Sequence, residues 1–270
     1  MATIVFFHAH PDDEASQTSG SMARAAAQGD RVVVVYATNG EHGEVPDDLL
    51  PGETLVERRR KEATKSAAAL GTARIEWLGY SDSGMTGWDQ NAHVGAFHNA
   101  TLTVAAMPVI TDDQILDRED ADVIVGYDWH GGYGHPDHVK VHHVLHAAAK
   151  LAARPPRVLE STMNRDVTRR LYQEAVAAGA TEEQAWDPDQ PMDDGNPLGS
   201  NEYEITWAVD VHKFLPQKRA ALAAHASQKT DIESLLSMPE EAFTAAFGTE
   251  YYIEPALGPG MRDGWPFTRS

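Results

Sequence analysis

The run "DRVVVVYATNG", residues 30–40, constrains the fold more than any other stretch. It is rich in β-branched residues and has no polar face. That is the pattern of a strand buried on both sides, as found in parallel sheets covered by helices. Its neighbours fit the scheme. "ATIVFFHA" reads as a first strand, and "EASQTSGSMARAAAQG" has helix-forming composition up to Gly29. After the second strand, "GETLVERRRKEATKSAAALG" reads as a helix stopped by Gly71 and "ARIEWLG" as a third strand. "TDDQILDRE" follows as a helix and "ADVIVGY" as a fourth strand. This β-α-β-α-β order predicts an α/β fold of the doubly wound, Rossmann-like kind, a mostly parallel sheet flanked by helices.

The loop "DWHGGYGH", a helix over 136–153 and a fifth strand "RVLEST" come next. The remainder is less regular: a helix over 165–178, the Pro/Asp/Gly-rich "WDPDQPMDDGNPLGSNE", a strand "YEITWAVDV" and a helix "HKFLPQKRAALAAHA". There is no internal repeat and no low-complexity linker. The 270 residues therefore read as a single domain, with a core over about 1–165 and a C-terminal elaboration over about 166–270.

A formal charge of −19 repels phosphate backbones and anionic lipid surfaces, so neither nucleic acid nor a membrane is an expected partner. No run of about 18 apolar residues occurs, and the N-terminus lacks the basic-then-apolar pattern of a signal peptide. The expected compartment is the cytoplasm; a homo-oligomer stays open. The chain has no Cys, which excludes disulfides, thiolate nucleophiles and Cys-based zinc sites. Any metal must then be held by His and carboxylate.

Titratable residues crowd at two strand ends. "HAHPDDE" follows the first strand, and six of the 13 histidines, His130, His135, His138, His142, His143 and His146, fall in the stretch that follows the fourth. In the common doubly wound order these two strands are neighbours, and ligands bind beyond their carboxyl ends, where the strand order reverses. The two loops should therefore meet in one pocket. A catalytic zinc site uses about three His or carboxylate ligands and keeps one position open. His10 and an aspartate of the "PDD" can supply two, and a histidine of "HPDH" the third. On the following helix His138 shares a face with Val141, Leu145 and Ala148 and should point inward. Pro136 suits the first helical position, bringing His135 to the pocket mouth. His142, His143 and His146 read as packing or solvated residues, His8 as a satisfied buried histidine, His130 as loop scaffolding and Glu14 as a carboxylate favouring the helix N-terminus.

"AHPDDE" together with "GYGHPDH" resembles the PIG-L/LmbE-like family of zinc-dependent de-N-acetylases, which have a Rossmann-like fold. The resemblance extends through "TNGEHGEV", "RRRKEATKSAAALG", "LGYSDSGMTG" and "VDVHKFLPQKRAALAAHASQ", and is greatest to the mycothiol-pathway branch, which deacetylates a glucosaminyl-inositol. It implies that His10, Asp13 and His138 bind Zn2+, or another divalent ion such as Fe2+, and that Asp12 is the general base. Spacing alone does not separate Asp12 from Asp13. In the mechanism these roles suggest, a protonated His135, oriented and kept charged by Asp137, would help hold the tetrahedral oxyanion, and the resemblance makes Tyr133 a mobile second contact. Glu44, Arg59 and Asp82 would contact sugar or cyclitol hydroxyls of a small N-acetylated substrate.

Other functions fit less well. A nicotinamide dehydrogenase would need a Gly-x-Gly-x-x-Gly turn where the chain has "HAHPDDE". A non-catalytic sugar- or metal-binding module would need neither Asp12 nor His135. "DPDQPMDDG" fails as an EF-hand because Pro191 and Leu198 fall at its fifth and twelfth positions; a solvated loop, a candidate lid, is the plainer reading. A thiol-conjugate amidase, or a deacetylase of an antibiotic or other N-acyl sugar, would use the same chemistry on another substrate.

Overall fold

The computed structural model describes residues 1–110, 115–181 and 187–269. β1 (Thr3–His8) pairs in parallel with β2 (Arg31–Thr38) on one side and β4 (Val123–Tyr127) on the other. β3 (Arg74–Tyr80) adds to β2 and β5 (Arg157–Thr162) to β4, both parallel. Beyond β5 the sheet turns antiparallel with β7 (Thr249–Ile253) and then β6 (Trp207–Asp210), and the short β8 (Arg262–Asp263) closes the edge. The order is β3-β2-β1-β4-β5-β7-β6-β8, so the C-terminal strands extend the same sheet.

The two-faced apolar run of β2 explains the layering. Val32, Val34 and Tyr36 enter one core with residues of α2 (Ser19–Ala27), α3 (Leu55–Leu70), α8 (Leu215–Ala224), α9 (Lys229–Leu236) and α10 (Glu240–Phe247). Val33, Val35 and Ala37 enter the other, with residues of α4 (Leu102–Ile110), α5 (Ile115–Glu119) and α6 (Pro136–Leu151). Each fully buried Val contributes about 1.5–3 kcal/mol, which commits this strand to the sheet interior. The Rossmann-like expectation holds.

The differences from the sequence reading lie at element ends and in five elements that were not predicted. The first predicted helix is two, α1 (Asp13–Gln17) and α2, broken at Thr18 (φ −127°), whose hydroxyl lies 2.9 Å from His8 Nε2. α3 starts on a Thr54/Glu57 capping box and stops at Gly71, with φ 71°, as expected. Of the helix predicted over 111–119, residues 115–119 form α5; residues 111–114, and Trp186 of the acidic stretch, lie outside the described residues. The strand predicted over 203–211 shortens to β6, after a 3-10 turn at Glu202–Glu204. α7 (Arg165–Ala177) is as expected, while α4, α9, α10, β7 and β8 had no predicted counterpart. Among the described residues no helix is long and apolar enough to cross a membrane.

Candidate active site

The strand order reverses at β1, so the loops after β1 and β4 diverge around one crevice. Past β1 the chain bends through His10 and Pro11 to Asp12, which has φ 114°, a left-handed backbone that a non-Gly residue adopts only under constraint. α1 begins immediately, and its first turn presents Asp13. After β4 the loop is pinned by Asp128, which accepts the Gly132 N–H at 2.7 Å and the Thr162 hydroxyl at 2.6 Å. His135 then caps α6, its Nδ1 accepting the Asp137 N–H at 3.1 Å, with Pro136 behind it. The acidic stretch is docked on this loop: Gly199 N–H donates to Gly132 O at 2.7 Å, and Asp194 lies 3.3 Å from His130 Nδ1.

His10, Asp13 and His138 come together. Asp13 Oδ2 is 3.3 Å from His10 Nδ1, and Asp13 Oδ1 is 3.3 Å from His138 Nε2. His138 Nδ1 lies 3.1 Å from the Gly131 carbonyl, an acceptor only, so Nδ1 carries a proton and Nε2 is the ring nitrogen turned to Asp13. That Nε2 is buried and, among the described residues, has no hydrogen-bond partner. A buried ring nitrogen without a hydrogen bond is costly unless something binds it, and this cluster has the donor set for a divalent ion. His135 joins it: one ring nitrogen each of His10, His135 and His138 lies within 4.8 Å of the others. Burial disfavours ionisation of Asp13, but His138 and His10 overcome it and hold its pKa well below the carboxylate range. Burial also opposes protonation of His10, yet Asp82, Asp13 and Asp137 raise its pKa well above the usual value.

Asp12 stands beside this cluster, its carboxylate 2.8 Å from Arg59. Burial pushes its pKa up to about 6, against the opposing pull of Arg59. Arg59 is buried rather than solvated; its guanidinium also donates to Gly40 O, at 2.7 Å, and to Pro11 O. Arg58 and Arg60 on either side bond Asp48, Glu53 and Asn39 instead. Asp82 is buried with Oδ1 3.5 Å from His10 Nε2, and Tyr133 sets its ring edge-on to His138, centroids 4.9 Å apart.

Three expectations need correction. Asp137 does not orient His135 with its carboxylate: that group lies 3.3 Å from His10 Nε2 and accepts the N–H of Ser83 at 2.8 Å and its hydroxyl. The Asp137 backbone N–H already occupies His135 Nδ1, leaving the carboxylate for His10. Nor is His135 an imidazolium. Burial, then His10 and His138, lower its pKa to about 3, so the ring is neutral with its proton on Nε2. Glu44 is exposed and does not line the crevice, although His42 and Gly43 do. Its carboxylate accepts the Thr230 N–H at 2.8 Å and its own N–H donates to Gln228, which fastens it to the start of α9.

Two residues escaped the sequence reading. Tyr127, at the end of β4, donates its hydroxyl to Asp13 Oδ2 at 2.8 Å and accepts the Ala9 N–H at 3.1 Å. Its ring stacks on His138, centroids 4.3 Å apart. Ser83 is the clamp on Asp137. "VIVGY" reads as plain strand, and the "DSG" around Ser83 was read for Asp82 alone. His8 is the satisfied buried histidine expected, between Tyr127 and Thr18. Glu14 does more than favour a helix end: it accepts from the backbone N–H of Asp12 at 3.0 Å and pairs with His225 at 2.7 Å.

The crevice encloses about 680 Å³. Its floor is His10, Asp12, Asp13, Asp82 and His135, and it extends to an apolar wall that includes Leu171 of α7, Ile232 and Leu235 of α9 and Phe247 of α10. A mostly parallel sheet with a His/carboxylate cluster beyond the carboxyl ends of β1 and β4 defines an α/β protein with a candidate metal centre at its switch point. The family model described as GlcNAc-PI de-N-acetylase (PIG-L) matches residues 5–149, and the chain belongs to this family. It is 37% identical over 276 residues to the 1D-myo-inositol 2-acetamido-2-deoxy-alpha-D-glucopyranoside deacetylase of Acidothermus cellulolyticus, covering 94% of this chain and 88% of the relative. Among solved structures it is similar to N,N'-diacetylchitobiose deacetylase from Pyrococcus horikoshii, with TM-score 0.59 and 19% identity over 94% of this chain and 85% of the other. It is also similar to GalB, the 4-carboxy-2-hydroxymuconate hydratase of Pseudomonas putida, with TM-score 0.54 and 17% identity over 94% and 95%. The fold thus occurs with more than one chemistry, and activity must be argued from the site.

Proposed function

We propose that this protein is a metal-dependent N-deacetylase that hydrolyses the acetamide of a small glucosamine-type substrate to acetate and a free amine. One observation carries the reading: Asp12 stands free of the ligand cluster yet opens on the same crevice as His10 and Asp13, beside an Nε2 of His138 that makes no hydrogen bond. The name of the Acidothermus relative supports the substrate class. Continuity of β6–β8 with the main sheet supports a single-domain chain.

His10, Asp13 and His138 would hold the ion; their imidazole and carboxylate donors suit zinc, with Fe2+ as the alternative. When bound, such an ion supplies Lewis acidity, polarising the amide carbonyl and acidifying water. Asp12 takes the proton of the attacking water as its oxygen adds to the carbonyl carbon, a task suited to a carboxylate whose pKa is about 6. Arg59 positions Asp12 through their 2.8 Å ion pair. The neutral His135 donates from Nε2 to the developing oxyanion, and Tyr133 is the second contact. Asp137 and Ser83 orient His10. The C–N bond then breaks and the proton held by Asp12 passes to the leaving nitrogen. Asp82, on the floor, is the group offered to sugar hydroxyls.

The apolar wall supports a second reading in which the N-acyl substrate carries an apolar group, as an antibiotic or thiol conjugate would. Amine release from a panel of N-acetylglucosaminides, including an inositol glycoside, alkyl glycosides and thiol conjugates, separates the two. Asp12→Asn is expected to lower kcat by about 10²–10⁴-fold with metal content unchanged. A wild-type protein that binds metal but releases amine from no member of the panel would be a binding module, and the proposal would fail.

A further inference from the structure

A second group of metal-donor side chains stands on the far flank of α6. His142 and His146 are four residues apart, hence on one face of the helix, and their ring centroids are 4.7 Å apart. Glu160 of β5 faces them, with Oε1 2.6 Å from His146 Nε2 and 3.6 Å from His142 Nδ1. The placement of Glu160 is unusual for its strand. Leu159 enters one core and Val158 packs against the other, so position 160 lies on the Val158 side, where an aliphatic residue would pack on α6. Instead a carboxylate only 6% exposed sits there, and such a group demands cationic or metal partners.

From this we infer that His142, His146 and Glu160 form a second binding site for a first-row divalent transition ion, of the zinc and cobalt class. One nitrogen from each histidine and one oxygen of Glu160 lie within 4.8 Å of one another. In a tetrahedral zinc site such atoms stand roughly 3.3 Å apart, a contraction that side-chain rotation supplies at the surface-facing His146. His142 Nδ1 lies 3.1 Å from the Tyr127 carbonyl, so that nitrogen carries the ring proton and Nε2 keeps the lone pair a metal takes. Binding would replace the His146–Glu160 contact, leaving a His2Glu site with a position open to water. The acidic chain, at −19, concentrates cations around it. None of these three residues belongs to the catalytic cluster, so the inference stands or falls independently of the proposed deacetylase activity.

The test is metal stoichiometry on the full chain, by Co2+ titration followed in the visible d–d bands and by equilibrium dialysis with Zn2+. Wild type is expected to bind two equivalents, and the double variant His142→Gln/His146→Gln one. Glu160→Gln, which keeps size and a hydrogen-bonding oxygen, should weaken the second equivalent at least tenfold; circular dichroism checks that each variant is folded. In His138→Ala the equivalent assigned here should persist, so loss of the catalytic ion is read separately. One equivalent in wild type that survives in the double variant, or two equivalents in both proteins, would overturn the inference and leave a plain His–Glu ion pair.

Discussion

Tyr127→Phe tests whether a phenol at the end of β4 is the hub of the site. The substitution keeps the ring that stacks on His138 and removes one oxygen. Burial holds the Tyr127 pKa well above its ordinary value, so the hydroxyl remains a donor, and it donates to Asp13 Oδ2 at 2.8 Å. With its proton committed there, the oxygen accepts from the Ala9 N–H and from His8 Nδ1, each at 3.1 Å. Deleting it strands two buried donors, at about 1–3 kcal/mol each, and removes one donor from an ionised acceptor, about 1.5–3 kcal/mol. Because the three share one atom they do not add, and a total loss of about 3–5 kcal/mol is expected.

The same deletion removes one of the two hydrogen bonds that orient Asp13 Oδ2, leaving the His10 N–H at 2.7 Å. Outer partners that orient a ligand are worth about 10–100-fold in metal affinity, so Tyr127→Phe should bind zinc that much more weakly than wild type. Urea unfolding of the metal-free proteins measures the first effect, and competition with a chromophoric chelator the second. A stability loss below about 1 kcal/mol, less than one stranded donor should cost, together with unchanged zinc affinity would refute the assignment.

Lys218 is fully buried, with Nζ 3.1 Å from Glu250. Lys218→Met should cost about 3–5 kcal/mol by urea unfolding because it leaves a buried carboxylate without its counter-charge, and adding Glu250→Gln should recover part of that loss; a single variant within 1 kcal/mol of wild type would contradict the pairing. Burial lowers the His8 pKa from 6.5 to about 4. The folded state therefore binds fewer protons than the unfolded state across that window, and stability falls as pH drops from 6.5 to 4, by about 3 kcal/mol. His8→Gln has nothing to titrate, so its unfolding free energy should converge on that of wild type between pH 7 and 4; a constant gap would sink the claim. Gly131 has φ 70°, and a Cβ there would lie 2.4 Å from the Cβ of His138 and 2.8 Å from the Val139 backbone nitrogen. Gly131→Ala should therefore displace His138 and lower bound zinc per chain in dialysis; full occupancy would show that the loop yields.

What the sequence disclosed follows from short-range pattern and topology. The unbroken apolar face of β2 demanded cover on both sides, and the reversal of strand order at β1 brought "HPDDE" and "GHPDH" to one crevice. Less legible was which side chain meets which. Asp137 was read with His135 because they are neighbours in sequence, yet the helix cap consumed the backbone link and sent the carboxylate to His10, 127 residues away. The charge of His135 depends on burial among two other imidazoles, which no motif states. Arg59 sits between two arginines that bond other partners, the half-buried Arg58 and the exposed Arg60, and only the packing of α3 turns Arg59 inward. β7 pairs with β5 and β6 across the C-terminal half, and its five residues give too short an alternation to reveal those partners.

The C-terminal elaboration earns its place through carboxylate contacts rather than through the crevice wall alone. Asp12 has an unfavourable backbone, and its N–H is held by Glu14 at 3.0 Å. The other oxygen of Glu14 takes His225 Nε2, at the end of α8, and the Ser66 hydroxyl, which lowers the Glu14 pKa to about 2 despite burial. A neutral Glu14 would grip both neighbours less firmly, so the ion pair keeps the carboxylate that holds Asp12 in its bend. Glu250 of β7 does the same one helix later: its two oxygens accept the N–H groups of Gly20 and Ser21 at 2.8 Å, satisfying donors that the first turn of α2 leaves open. Gly20 is needed for that approach, since a Cβ there would lie 2.6 Å from the side chain of Val211. The helices that follow the Asp12 loop are thus fixed at both starts by residues from beyond position 200, which is why the segment with the weakest sequence pattern bears on the geometry of the strongest motif.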